Sequence, residues 1–210
     1  MLGTQFKGVR SYPVGYVHEL RMFPLDFEEF CWAIGVSEGA RQTIRDACIS
    51  ERPVPDYIHD AMMANFRTYT VVGGMPEVVQ RFLDTQGDLA SVRQLQSELN
   101  EQYRRDISKY ASGRALQVQS IYDQLPIMLE GENKRFVLNS IDPKAHYEKY
   151  QRDFVWLVDA GVALKADIVT EPKSPLLKTA RPSQFRLYQS DVGMLMARYP
   201  VAVSYTHLTL

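Results

Sequence analysis

Cysteine is scarce in this sequence: Cys31 and Cys48 are the only two, with no CxxC spacing and no histidine cluster beside them. That scarcity argues against a disulfide framework and a thiolate zinc site, so two reduced, buried thiols are expected. Long apolar runs are missing as well. No stretch of about 18 uncharged apolar residues is present to span a bilayer, and residues 1–7 lack the apolar run of a signal peptide. A cytoplasmic location with no membrane partner is the expectation. An excess of charge of one sign is also lacking. With 24 Lys+Arg against 25 Asp+Glu the net charge is −1, so the chain as a whole presents no strong field to nucleic acid. The charge is unevenly spread, however. Residues 1–133 hold 13 basic and 18 acidic side chains, while residues 134–186 hold 10 basic and 6 acidic. A polyanion-binding face therefore belongs in the later segment.

What is present is the composition of a folded protein, with 45% hydrophobic and 23% charged residues. Residues 16–23 mix apolar and polar side chains in near alternation, which predicts a short strand. Asp26 with Glu29 three positions on predicts a capped helix carrying Phe27, Phe30, Cys31 and Ile34 and stopped by Gly35. Ser37 opens a second helix. A third is expected over 56–69, a fourth from Pro76 through Phe82, and a long fifth after Gly87-Asp88 with Val92, Leu95, Leu99 and Tyr103 on one face. Up to Ala111 the pattern is that of a helical bundle. Helices are then expected over 115–125, 133–138 and 143–160, followed by strands over 162–170 and 185–188 around a proline-bearing loop. Three helices and then a two-stranded ribbon is the order of a winged helix-turn-helix, in which the third helix enters the major groove.

Three short motifs suggest chemistry, and each has a plainer explanation. Gly35-Val36-Ser37-Glu38-Gly39 matches GxSxG, but a helix precedes the serine where a nucleophile elbow needs a strand, so Ser37 reads as a helix cap. Val155-Trp156-Leu157-Val158-Asp159 imitates a Walker B strand, yet it continues the helical period of Tyr147, Tyr150 and Phe154. No GxxxxGK[ST] loop occurs in the chain, so its binding of ATP is expected to be weak or nil. Glu171-Pro172-Lys173 resembles half of a metal-dependent nuclease site. Pro172 has no amide for the central sheet that such a site is built on, and a solvated hairpin loop is expected instead. No catalytic, cofactor-binding or metal-ligating residue is assigned. The candidate nucleic-acid contacts are Lys134, Arg135, Lys149 and Arg152, basic side chains in the positively balanced segment.

Several stretches carry a resemblance when taken in order. They are Ser11-Tyr12-Pro13-Val14-Gly15, Pro24-Leu25-Asp26-Phe27-Glu28-Glu29-Phe30, Gly73-Gly74-Met75-Pro76-Glu77-Val78-Val79 and Tyr103-Arg104-Arg105-Asp106-Ile107-Ser108-Lys109-Tyr110. Further on stand Glu132-Asn133-Lys134-Arg135-Phe136, Trp156-Leu157-Val158-Asp159-Ala160-Gly161 and Tyr188-Gln189-Ser190-Asp191-Val192-Gly193. In this series the chain resembles prokaryotic AAA-type P-loop ATPases that carry a C-terminal region of unknown function. The resemblance implies a phosphate-binding loop and Walker B strand before Met1, a nuclease-like fold after residue 200, and ATP with magnesium as cofactors of a longer parent.

It also implies the domain order: residues 1–34 as the last strand and helix of the ATPase core, 35–111 as a helical lid, and 112–199 as a winged-helix module. Residues 200–210 depart from the family pattern and are expected to be a non-native or disordered tail. The expected fold is mainly α, a lid bundle followed by a winged helix with a small β-ribbon. Duplex DNA is the expected partner, with a homo-oligomer formed through the ATPase part. The alternative is a protein-interaction or oligomerisation module without DNA binding.

Overall fold

The computed structural model describes residues 20, 22–111, 113–144 and 146–200. The expected strand at 16–23 and the segment 201–210 lie outside the described residues, apart from three positions at the former's end. Among the described residues the chain is mainly helical, with eight α-helices and one two-stranded antiparallel sheet. It forms two compact units. One holds Pro24–Asn100 and the described part of Asp191–Leu210; the other holds Glu101–Ser190 with the few described residues before Pro24. Residues 24–34 thus share a unit with 35–100, and the chain returns to that unit at Asp191.

In the first unit, α1 (Phe27–Ala33) begins at the anticipated capping box: Asp26 accepts from the Glu29 amide at 2.8 Å and Glu29 accepts from the Asp26 amide at 2.9 Å. Ser37 caps α2 (Glu38–Ile49) through the Ala40 amide. The hydroxyl is therefore committed to a helix end. Helices α3 (Asp56–Val72), α4 (Pro76–Asp84) and the start of α5 (Leu89–Tyr110) follow. Phe27 and Phe30 of α1 meet Phe66 and Tyr69 of α3 through ring contacts of 5.2 to 5.7 Å. Val72, Val78, Val92 and Met194 close the core. Cys31 is buried here but Cys48 is exposed. This corrects the expectation of two buried thiols, since Ala47 takes the inward position of the last α2 turn.

The last helix of this unit, α8 (Val192–Met196), has no counterpart in the sequence reading. Asp191 caps it through the Met194 amide at 2.8 Å, and its other oxygen accepts from the Gly74 amide at 2.6 Å. Gly74 in turn accepts from the Leu25 amide at 2.7 Å. The backbones meet so closely that a Cβ on Gly74 would lie 2.8 Å from the Leu25 nitrogen, and one on Gly193 2.5 Å from the Val72 carbonyl carbon. Two of the quoted motifs, around Gly73-Gly74 and Asp191-Val192-Gly193, are thereby joined.

The second unit contains the end of α5, α6 (Ala115–Glu130), a 3-10 turn at Leu138–Ser140, α7 (Tyr147–Asp159), β1 (Ala163–Val169) and β2 (Ala180–Gln189). Helix α6 runs past Leu125 because Leu125 and Pro126 are both buried, and their packing offsets the amide that proline lacks. The helix expected at 133–138 does not form. Lys134 adopts a left-handed turn (φ 49°), and Phe136 donates its amide to the Phe185 carbonyl at 3.1 Å, leaving only the 3-10 turn beyond. Helix α7 starts at Tyr147 rather than 143, because the Asp142 carboxylate accepts the Lys144 amide and holds a turn there. Strand β2 is longer than expected and includes Pro182. Its register jumps from Asp167–Phe185 to Ile168–Arg181, so residues 182–184 bulge out where a ladder amide is not needed. The core stacks Phe136, Phe154 and Phe185, with the Phe154 and Phe185 centroids 4.8 Å apart and near edge-to-face.

Candidate nucleic-acid interface

The face of the second unit is set by α7. Tyr150, Asp153, Phe154 and Leu157 point into the core, which leaves Glu148, Lys149, Gln151, Arg152 and Val155 outward at helical spacing. The inward carboxylate of Asp153 is only 2% exposed and is held by Arg114 through two bonds, Nε to Oδ1 at 2.7 Å and Nη2 to Oδ2 at 2.5 Å. The same guanidinium donates to the Lys149 carbonyl at 2.9 Å and lies over the Tyr150 ring. Asp153 fixes Arg114 in its charged form and pushes its pKa up. Arg114 thereby ties the start of α6 to the middle of α7, which orients the outward face.

All four candidate residues are exposed and lie in this unit. Lys149 and Arg152 occupy successive turns of α7. Lys134 and Arg135 precede Phe136, whose ring packs 5.2 Å from that of Phe154, so the pair lies alongside the same helix. Their electrostatic settings differ. Lys149 is 3.7 Å from Asp142 and 5.7 Å from the Tyr150 ring centre, whereas Lys134, Arg135 and Arg152 make no ion pair among the described residues.

Four more exposed cations without an ion pair among the described residues are Lys144, Lys178, Arg181 and Arg186. Lys165 and Lys173 are neutralised locally by Asp167 and Glu171. The latter pair is the Glu171-Pro172-Lys173 motif, an exposed loop as expected. The acids are consumed more fully than the bases: only Glu148 and Asp159 of this segment stand outside an ion pair among the described residues. Internal pairing therefore concentrates the excess into seven exposed cations against two anions, a stronger bias than the raw counts. Arg181 and Arg186 could be recognised in this role only once the strand register was known, since each faces an uncharged residue across the ladder, Ile168 and Ala166.

Two other places have site-like features. The end of α5 and α6 border an open cleft of about 510 Å³ with Arg104, Arg105, Ser108, Lys109 and Gln119 on its walls. Arg104 is already engaged there by Glu101 and Asp123. In the first unit Asp191 is a buried carboxylate, the kind of group that often marks an active site. Burial pushes its pKa above 3.8, against the amides of Met194, Gly74, Gly193 and Met75 that pull it down. Those amides supply a complete structural account. A raised folded-state pKa means that the folded form holds this proton more tightly than the unfolded chain. Asp191 therefore contributes stability at acid pH that is lost as pH rises from 3.8 through the folded value. In urea titrations at a series of pH values, the difference in unfolding free energy between wild type and Asp191→Ala is expected to shrink across that rise. A difference that stays flat or grows would contradict the assignment.

Among the described residues no helix is long and apolar enough to cross a membrane. No curated protein and no solved structure matches the chain. A family model described as a domain of unknown function, DUF8612, matches residues 63–202. That span runs from the middle of α3 through α8 and includes both the Gly74–Asp191 contact and the segment that carries the seven cations. The chain belongs to this family of DUF8612 domains.

Proposed function

We propose that the second unit is a winged helix that binds duplex DNA, and that the chain is the lid and winged-helix portion of an AAA-type P-loop ATPase. In that reading ATP and magnesium, bound by a longer parent, reposition the first unit and change how the winged helix engages DNA. The observation that carries the DNA part is the set of seven exposed cations outside ion pairs, against two such anions, within residues 134–186. The order of α6, a short turn, α7 and an antiparallel ribbon supports it, as does the Phe136 amide that adds a third extended segment beside β2. The ATPase part rests on the ordered motifs alone.

The deciding measurement is duplex affinity as a function of salt. A plot of log K against log salt is expected to fall with a slope of about −4 to −6, as for about five to seven neutralised phosphates. Arg152→Ala is expected to weaken binding and flatten the slope by about one, with little dependence on DNA sequence. A flat plot for wild type would remove the DNA role. One observation favours a protein partner instead: Val155 on α7 and Leu164 on β1 are each about half exposed, at 50% and 45%. A concentration-dependent rise in sedimentation coefficient without DNA binding would establish that second reading.

A further inference from the structure

The β1–β2 ribbon of the second unit has an outer side whose chemistry goes beyond what paired DNA can use. Side chains alternate along a strand, so Leu164, Ala166 and Ile168 of β1 share one side, and their ladder partners Tyr188, Arg186 and Arg181 share it with them. The opposite side carries Phe185 and Leu187, each 1% exposed, and faces the core. The outer side thus holds two guanidiniums, one phenol ring and three apolar side chains. None of its ladder positions is a carboxylate, because Asp167 is the partner of Phe185 and has the inner parity. Leu164 is 45% exposed, Tyr188 is half-buried, and Arg181 and Arg186 are exposed. The side chains of Tyr188, Arg181 and Arg186 make no hydrogen bond, ion pair or ring contact among the described residues.

The charge and the apolar character need one occupant that satisfies both. Phosphates on any nucleic acid account for the two arginines. They do not account for a ring and a leucine directly across the ladder, since a duplex keeps its base faces inside the stack. An unpaired strand offers free base faces beside its phosphates, and aromatic side chains in a cationic setting are what such strands bind. Arg186 and Tyr188 are two residues apart, about 7 Å along β2, so a held phosphate and a stacked base fall within one short stretch of strand. We infer that the outer side of the ribbon binds an unpaired DNA strand, an assignment that rests on the DNA reading of this unit and narrows its ligand to a duplex ending in a single-stranded tail. Tyr188 stacks on a base beside Leu164, while Arg186 and Arg181 take phosphates further along the strand.

Anisotropy titrations of the full chain test it by comparing a blunt duplex with the same duplex carrying an oligo-thymidine tail. The tailed duplex is expected to bind about tenfold more tightly, within the range for one stacked base. Tyr188→Ala should erase that difference and Tyr188→Phe should keep it. Both variants are expected to hold blunt-duplex affinity within about twofold of wild type, which also reports that they are folded, because phosphate contacts and not stacking carry that affinity. Equal binding of blunt and tailed duplexes by the wild type would overturn the inference and leave the duplex reading standing, as would a tail preference that survives Tyr188→Ala. A tail preference lost in Tyr188→Ala, together with a flat salt plot for the blunt duplex, would keep the ribbon's role and remove the duplex reading. Binding of neither DNA would overturn both, and a concentration-dependent rise in sedimentation coefficient would then give this side of the ribbon to a protein.

Discussion

Replacing Gly74 by alanine is expected to cost about 3 to 5 kcal/mol of stability, because the added methyl meets backbone rather than a side chain that could turn aside. The Leu25 carbonyl occupies the space, and the same movement that relieved the contact would lengthen the Leu25 to Gly74 and Gly74 to Asp191 bonds. Gly193→Ala is expected to behave alike, since Val72 backbone fills its Cβ position. Gly39 supplies the control. It lies in the first turn of α2 with nothing within 4 Å of a Cβ, so Gly39→Ala is expected to be neutral or to stabilise by up to about 1 kcal/mol. Urea unfolding followed by far-ultraviolet circular dichroism measures all three. Equal costs for Gly39 and Gly74 would refute the close backbone approach.

Arg114→Met is the second large effect. It leaves the Asp153 carboxylate in a core where it is 2% exposed, and breaking one side of such a pair costs about 3 to 5 kcal/mol. The double variant Arg114→Met, Asp153→Leu removes both charges and is expected to recover most of that loss, since the pair's own net worth is small once desolvation is counted. Additive losses in the double variant would show that Arg114 acts by packing on Tyr150 rather than by neutralising Asp153. The DNA reading adds a further expectation. Arg114→Met should lower affinity as well as stability, because the same side chain fixes the pitch of α7 through the Lys149 carbonyl.

Local signals carried much of the secondary structure. The Asp26 and Glu29 capping box, the Ser37 cap, Pro76 at the head of α4 and the apolar stripe of α5 are short-range features, and each helix forms where they stand. Elements governed by distant partners were not legible. Pro126 reads as a helix stop until its burial is known, and 133–138 reads as a helix until Phe136 is seen to bond to Phe185. Helix α8 could have been found, since Asp191 three residues before Met194 is an ordinary cap signal, but five residues give too little periodicity to confirm it. Nothing local announces that Gly74 and Asp191, 117 positions apart, share a hydrogen bond. The four basic residues named from the sequence all lie in the second unit. Pairing then separated Lys149, partly neutralised by Asp142, from Lys134, Arg135 and Arg152.

The three residues that bulge from β2 have a consequence for side-chain direction. Along an unbroken strand Arg181 would share parity with Phe185 and Leu187, both of which face the core. An odd number of extra residues inverts that alternation, so Arg181 is paired with Ile168 and comes out on the same side of the ribbon as Arg186, opposite Ala166. The odd length of residues 182–184 thus acts as a phase setting for the hairpin: two arginines five positions apart would stand on opposite sides of an unbroken strand, and the three extra residues bring both guanidiniums to the outer one.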